Sequence, residues 1–262
     1  MLAAFPPSLG FVISGFLTGV LVGMTGVGGG SLMTPILVLL FGISPSTAVG
    51  TDLLYASITK TAGTAVHGLG HTIDWRIVLL LAMGSVPMAI FTLLIFGWFG
   101  PNTFAANRLI TDILSVMLLL TAAVLILRRQ IITRYRKAFA AVSPETTQRL
   151  TVIVGMTLGV LVPLSSVGAG ALGATALILL YPQMPMARVV GSDIAHAVPL
   201  TLAAALGHII LGSTNFSILG FLLMGSIPGI ILGSYVAPRV PDTVLRYVLA
   251  ATLLIAGGRL AL

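Results

Sequence analysis

The sequence predicts an all-α polytopic membrane protein, built as two inverted repeats of about five hydrophobic segments each, with broken or re-entrant helices at the midplane. Three observations predict it. The 262 residues are 57% hydrophobic and only 7% charged, with a mean hydropathy of +1.13, whereas a soluble domain carries roughly 25% charged residues. An apolar run is interrupted at residues 25–31 by Thr25, Gly26, Val27, Gly28, Gly29, Gly30 and Ser31, which offer so little side chain that the backbone can leave the helix and expose amide groups. The same design returns about 140 residues later, pairing Gly19 with Gly159, Val27 with Val167, Gly28 with Gly168, Gly30 with Gly170, Pro45 with Pro185, Gly50 with Gly191 and Asp52 with Asp193. Interrupted hydrophobic segments at matching places in two halves mark a site near the membrane midplane.

In chain order, residues 9–24 and 32–41 are helical pieces flanking the first break, and the second piece is too short to span unaided. Each such pair forms either a re-entrant hairpin or two short spans. Residues 42–49, with Pro45 and Ser46, read as a turn, and 51–70 as a small-residue helix carrying Asp52, Lys60 and His67. A polar loop at 71–76 leads to a span at 77–96 with Pro87 inside it, a loop at 97–108 and a span at 109–127. The second half repeats this order as 150–162, 172–180, 190–211, 216–236 and 245–260. The repeat extends to Met83–Gly84–Ser85–Val86–Pro87 against Met224–Gly225–Ser226–Ile227–Pro228, to His67 against His208 and to Asp74 against Asn215. Residues 1–127 are thus a first transmembrane repeat and 150–262 a second, and an odd number of crossings per unit inverts one against the other. Between them, residues 128–149 hold Arg128, Arg129, Arg134, Arg136, Lys137 and Arg149, six of the 13 basic residues, and the positive-inside bias makes that linker cytoplasmic.

Charge and composition also exclude classes. The net charge of +7 has no soluble basic face on which to bind nucleic acid. No cysteine is present, and nothing points to a metal or a cofactor. Residues 1–7 carry no basic residue ahead of the apolar run, so no cleavable signal is expected.

The candidate substrate-binding residues gather at the breaks. Half-helices starting near Ser31 and Leu172 point their positive ends into them, where free N–H groups bind anions, with close helix packing as the competing use of the glycines. Thr25, Gly28, Gly29, Gly30 and Ser31 in the first half, and Ser165, Ser166, Gly168 and Gly170 in the second, are the candidates. Lys60 joins them, about 13 Å along its helix from Thr51 and unable to reach Asp52 on the same helix. Its counterpart is Thr201, which suits a cation that serves the translocated anion; snorkelling and a partner on another helix are the other readings. Asp52 and Asp193 either cap helix starts or serve proton or ion coupling. His67 and His208 form a symmetric pair read as satisfied polar groups or a proton relay, and His196 lies three residues after Asp193, where an Asp–His hydrogen bond is permitted. Arg188, beside the second turn, either anchors at the membrane surface or funnels anions.

Gly-Met-Thr-Gly-Val-Gly-Gly-Gly-Ser-Leu-Met-Thr-Pro at 23–35, followed by Ala-Val-Gly-Thr-Asp-Leu-Leu-Tyr-Ala-Ser-Ile-Thr-Lys at 48–60 and repeated in part as Val190-Gly191-Ser192-Asp193, resembles the sulfite exporter TauE/SafE family of membrane transporters. The second half departs from the pattern, with Ala169 and Ala171 where the first has Gly29 and Ser31. The resemblance implies a carrier in the bacterial cell inner membrane that exports a small anion such as sulfite, an organosulfonate or a related sulfur-containing or carboxylic anion. Its partners are then that anionic substrate and the lipid bilayer, and a homodimer is compatible with it. An anion channel is the main alternative; an intramembrane enzyme built on Ser165 or Ser166 with His196 and Asp193 is the other, and it lacks a strained nucleophile motif.

Overall fold

Ten helices, α1 (Pro7–Thr25), α2 (Gly30–Phe41), α3 (Pro45–Leu69), α4 (Trp75–Trp98), α5 (Phe104–Ala140), α6 (Pro144–Ser165), α7 (Ala171–Leu180), α8 (Met186–Ile210), α9 (Phe216–Val236) and α10 (Asp242–Ala261), make up a computed structural model that describes residues 7–25, 30–100, 103–236 and 242–261. No strand occurs among the described residues. Six helices, α4, α5, α6, α8, α9 and α10, are long and apolar enough to cross a membrane. α3 is as long as α8 but less apolar, because it carries Asp52, Lys60 and His67, of which Asp52 and Lys60 are turned into the protein.

Several helices start earlier or end later than the sequence reading has them, and two of these differences have clear local reasons. α3 begins at Pro45, not after a turn at 42–49, since proline fits the first position of a helix, where its missing N–H costs nothing. α5 runs on through the basic stretch to Ala140, because Arg, Lys, Gln and Ala are strong helix formers. Its 37 residues reach about 55 Å at 1.5 Å each, well beyond a hydrocarbon core of about 30 Å. Ser143 caps the start of α6 through Thr146 N–H.

Glycine sets how the helices pack. α1 lies on α9 and α4 on α6, so the first helix of each half packs on the fourth helix of the other. A Cβ on Gly19 would stand 2.5 Å from the Ser226 carbonyl oxygen, and one on Gly159 only 2.9 Å from Ser85 Cα; the backbones touch where side chains would otherwise keep them apart. Without a hydrophobic drive between helices in lipid, such close approach is the main source of cohesion.

At the centre, α3 packs on α8, and the bonds that tie each of the two to its surroundings recur in equivalent form. Thr51 Oγ1 accepts from Asn215 N–H at 3.0 Å, and Ser192 Oγ from Asp74 N–H at 2.8 Å. Tyr55 donates to Ser226 at 2.7 Å, while His196 Nε2 pairs with Ser85 at 2.9 Å. His67 Nδ1 meets Thr72 and His208 Nδ1 meets Ser213, both at 2.8 Å. Apolar clusters around Val49, Leu53, Leu93, Phe96, Leu158 and Leu200, and around Leu114, Leu118, Leu249 and Leu253, flank this centre.

Candidate functional site

The second break is built by α6 ending at Ser165 and α7 starting at Ala171. Proline at 163 weakens the last turns of α6, Ser166 takes a left-handed conformation (φ 56°), and Gly168 has a φ of 114° that only glycine adopts without strain. Backbone N–H groups of Gly173 and Ala174 are taken by the Gly168 and Gly170 carbonyls. Those of Ala171 and Leu172 open a helix, where no intrahelical acceptor exists.

Lys60 reaches this break from α3. Its ammonium donates to the Ala169 carbonyl, and at 7% exposure it is the one buried lysine or arginine among the described residues. Snorkelling is thereby excluded as an account of its position. Asp52 and Asp193 both lie within coulombic reach of it, yet neither forms a direct ion pair with it; the ion pair between described side chains is Arg188–Asp74, at 3.3 Å.

The two aspartates occupy equivalent positions but have different surroundings. Asp52, fully buried, accepts from Thr34 N–H at 3.2 Å and Thr34 Oγ1 at 2.5 Å, which ties α2 to α3. Both acids lie seven residues inside their helices, counted from Pro45 and from Met186, so neither caps its own helix start; Asp52 serves an N–H of the neighbouring helix instead. Asp193 is 3% exposed and lies against Gly173, whose missing side chain makes room for the carboxyl. Residue 174, which stands where Thr34 stands in the first half, is alanine.

Four buried polar atoms here have no hydrogen-bond partner: Asp52 Oδ1, Ser166 Oγ, Asp193 Oδ1 and His196 Nδ1. Ser166 lies beside Asp52 without completing a properly directed bond to it. Buried polar groups are normally satisfied, so four unpartnered atoms of the eight among the described residues single out this region as the candidate site.

Other expected residues fare differently. Ser165 is satisfied locally, donating toward the Leu161 and Val167 carbonyls and accepting from Val167 N–H. The Asp193–His196 hydrogen bond does not form: His196 Nε2 pairs with Ser85, while His196 Nδ1 and Asp193 Oδ1 are each left without a partner, and with that the Ser–His–Asp set loses its geometry. His208 is held on both sides, by Ser213 and by the Pro163 carbonyl at 2.9 Å, as a satisfied polar group is. His67 pairs with Thr72; neither histidine reaches Lys60 by a hydrogen bond. Gly28 and Gly29 lie outside the described residues, as do the side chains of Thr25 and Ser31, while Gly30 opens α2. No group of three or more His, Asp or Glu among the described residues is placed to hold a metal.

Sequence reasoning missed Thr34, Tyr55, Ser85, Ser226 and the Ala169 carbonyl. The repeat alignment carried a signal for four of them, since Tyr55 falls opposite His196 and Ser226 opposite Ser85, and Thr34 sits opposite Ala174. A cleft of about 560 Å³ lies elsewhere, between the ends of α4, α6, α7 and α8, where Arg76, Gln183, Tyr181 and the Arg188–Asp74 pair line it. It shares no residue with the Lys60 centre.

Comparison with known proteins bears on what this arrangement serves. The family model described as Sulfite exporter TauE/SafE matches residues 11–260. The probable membrane transporter protein YjnA of Bacillus subtilis (strain 168) is 39% identical over 254 residues, covering 97% of this chain and 99% of the relative. The probable membrane transporter protein YdhB of the same organism is 27% identical over 248 residues, covering 92% and 95%. No solved structure matches the chain.

Proposed function

Because the chain belongs to the sulfite exporter TauE/SafE family and is a multi-pass membrane transporter, we propose that it is a secondary transporter exporting a small anion across the bacterial inner membrane. The substrate class is sulfite, an organosulfonate or a related sulfur-containing or carboxylic anion. The observation that carries this reading is Lys60, a cation buried at a helix break beside four unsatisfied polar atoms. An anion arriving there replaces the Ala169 carbonyl as the partner of the ammonium, and gains the positive end of α7 and the Ser166 hydroxyl. Gly28, Gly29 and Gly30, with Thr25 and Ser31, are proposed to do the same at the first break.

Alternating access is the motion proposed, and the helix starts support the inverted arrangement it needs. The start of α3 is tied to Asn107 and Asn215, whereas the start of α8 is tied to Asp74, at the end where Arg136 of the basic stretch meets the Pro182 carbonyl. Those contacts support an inverted pair, with residues 128–149 on the cytoplasmic side. Since Asp52, Asp193, His196 and Lys60 are all buried, the anion enters when the helices around α3 and α8 part, one half rocking against the other.

Purified protein in lipid vesicles tests this. Labelled sulfite and methanesulfonate are expected to show saturable flux and counterflow. Lys60→Ala should weaken binding by roughly 30-fold or more, since truncating a buried charge partner costs about 2–5 kcal/mol, and Lys60→Arg should keep part of it. Single-channel current without counterflow would make the protein a channel, and wild-type affinity in a folded Lys60→Ala protein would remove Lys60 from the site.

A further inference from the structure

The buried centre holds one lysine against two carboxylates, Lys60 against Asp52 and Asp193. With Arg128 also facing Asp193 from α5, that set is at best neutral, and an added anion leaves it net negative in a region shielded from water, where uncompensated charge is costly. From this charge count and the unequal surroundings of the two acids, we infer that the anion enters together with a proton carried by Asp193, so that the protein is a proton–anion symporter. This rests on the transport reading above and adds the coupling to it.

Asp193 is the carrier and Asp52 is not, because the structure commits them differently. Two donors from Thr34 hold Asp52 Oδ2, bonds that a carboxylate accepts more strongly than a neutral carboxyl, so a proton on Asp52, even at its unpartnered Oδ1, weakens the join between α2 and α3. Asp193 has no hydroxyl opposite it on α7, where Gly173 makes the approach, and its Oδ1 is unpartnered. It can gain or lose a proton without unmaking a helix contact. The charged and titratable groups that face it are Lys60 from α3 and Arg128 from α5, with Asp52 beyond Lys60 and His196 on its own helix. α7 has no titratable residue, and α4 from residue 77 and α6 from residue 150 have none either.

The cycle balances in charge. A proton leaves water on one side for the Asp193 carboxylate as the anion leaves water for Lys60, and both are released on the other side. Monoanion transport is then electroneutral, and its direction follows the combined anion and proton gradients, so export proceeds when the outward anion gradient exceeds the inward proton gradient. Anion and proton must favour each other's binding by the same factor, whichever binds first.

Methanesulfonate, which stays ionised across the working range, is the probe. Added to weakly buffered purified protein with a pH indicator, it should draw about one proton per anion bound into the wild type, and that ratio should fall to near zero in Asp193→Asn whatever the affinity. For sulfite, the difference between wild type and Asp193→Asn removes the anion's own proton. In wild-type vesicles a pH gradient should drive methanesulfonate accumulation, while an imposed potassium–valinomycin potential should not; this needs no variant to fold. Anion binding without proton uptake, or flux driven by potential alone, would overturn the coupling and leave transport standing. Loss of the proton in Asp52→Asn or His196→Gln, with Asp193→Asn retaining it, would overturn the assignment to Asp193. Failure of sulfite and every sulfonate and carboxylate tried to bind would overturn the transport reading and the coupling together.

Discussion

Gly19→Ala and Gly220→Ala make the same chemical change with opposite expected outcomes. A Cβ at Gly19 would stand 2.5 Å from the Ser226 carbonyl oxygen and 2.9 Å from Ser226 Cα, whereas nothing lies within 4 Å of one at Gly220. Ordinary carbon–oxygen contact begins near 3.3 Å, so α1 and α9 must separate by roughly 0.8 Å to admit the methyl group, and overpacking of this kind costs about 1–3 kcal/mol. Alanine regains up to about 1 kcal/mol as the better helix former. The net expectation for Gly19→Ala is a loss of about 1–2 kcal/mol, a factor of about 5–30 in the folded-to-unfolded ratio. Gly220→Ala should be neutral or gain up to about 1 kcal/mol. Equilibrium unfolding in mixed micelles, followed by circular dichroism, measures both. Equal stability of the two variants would refute backbone contact as the cohesion between the halves.

Gly173→Ala should push the Asp193 carboxyl, whose Cγ would lie 3.3 Å from the new Cβ, and weaken anion binding about tenfold or more at unchanged helix content; unchanged transport kinetics would separate Asp193 from the site. Single cysteines test orientation. Thr133→Cys and Trp75→Cys, both at exposed positions, should label from the cytoplasm, and Phe216→Cys, also exposed, from the opposite side. Labelling of Trp75→Cys and Phe216→Cys from one side would end the inverted arrangement.

All ten helices were legible as hydrophobic segments, because glycine, proline and polar clusters punctuate the apolar runs where the chain turns. The ends of α3 and α5 were not: Pro45 reads equally as a turn or a helix start, and a basic stretch reads as a loop unless helix propensity outweighs polarity. The depth of Lys60 was visible from its place in an uncharged stretch. Its partner was not, since the Ala169 carbonyl is backbone and leaves no trace in residue type. The Asp193–His196 bond that the spacing permits does not form: Ser85, more than a hundred residues away, fixes the imidazole through Nε2, and spacing along one helix is blind to what another helix does to a side chain's orientation. The difference in surroundings between Asp52 and Asp193 is encoded in Thr34 against Ala174, a difference that acquires meaning only once α2 and α7 are known to face the acids.

The crossed seating of α1 on α9 and of α6 on α4 also sets an order on biogenesis. α1 is inserted about 190 residues ahead of the helix it docks against, which at roughly 5–20 residues per second amounts to some 10–40 s of synthesis. During that interval its glycine stripe has only lipid, the insertion machinery or α2 for company. α6, by contrast, finds α4 already in place as it emerges. The second half therefore begins on a waiting surface, whereas the earliest helix of the first half docks only on the arrival of α9, just ahead of α10 closing onto α5.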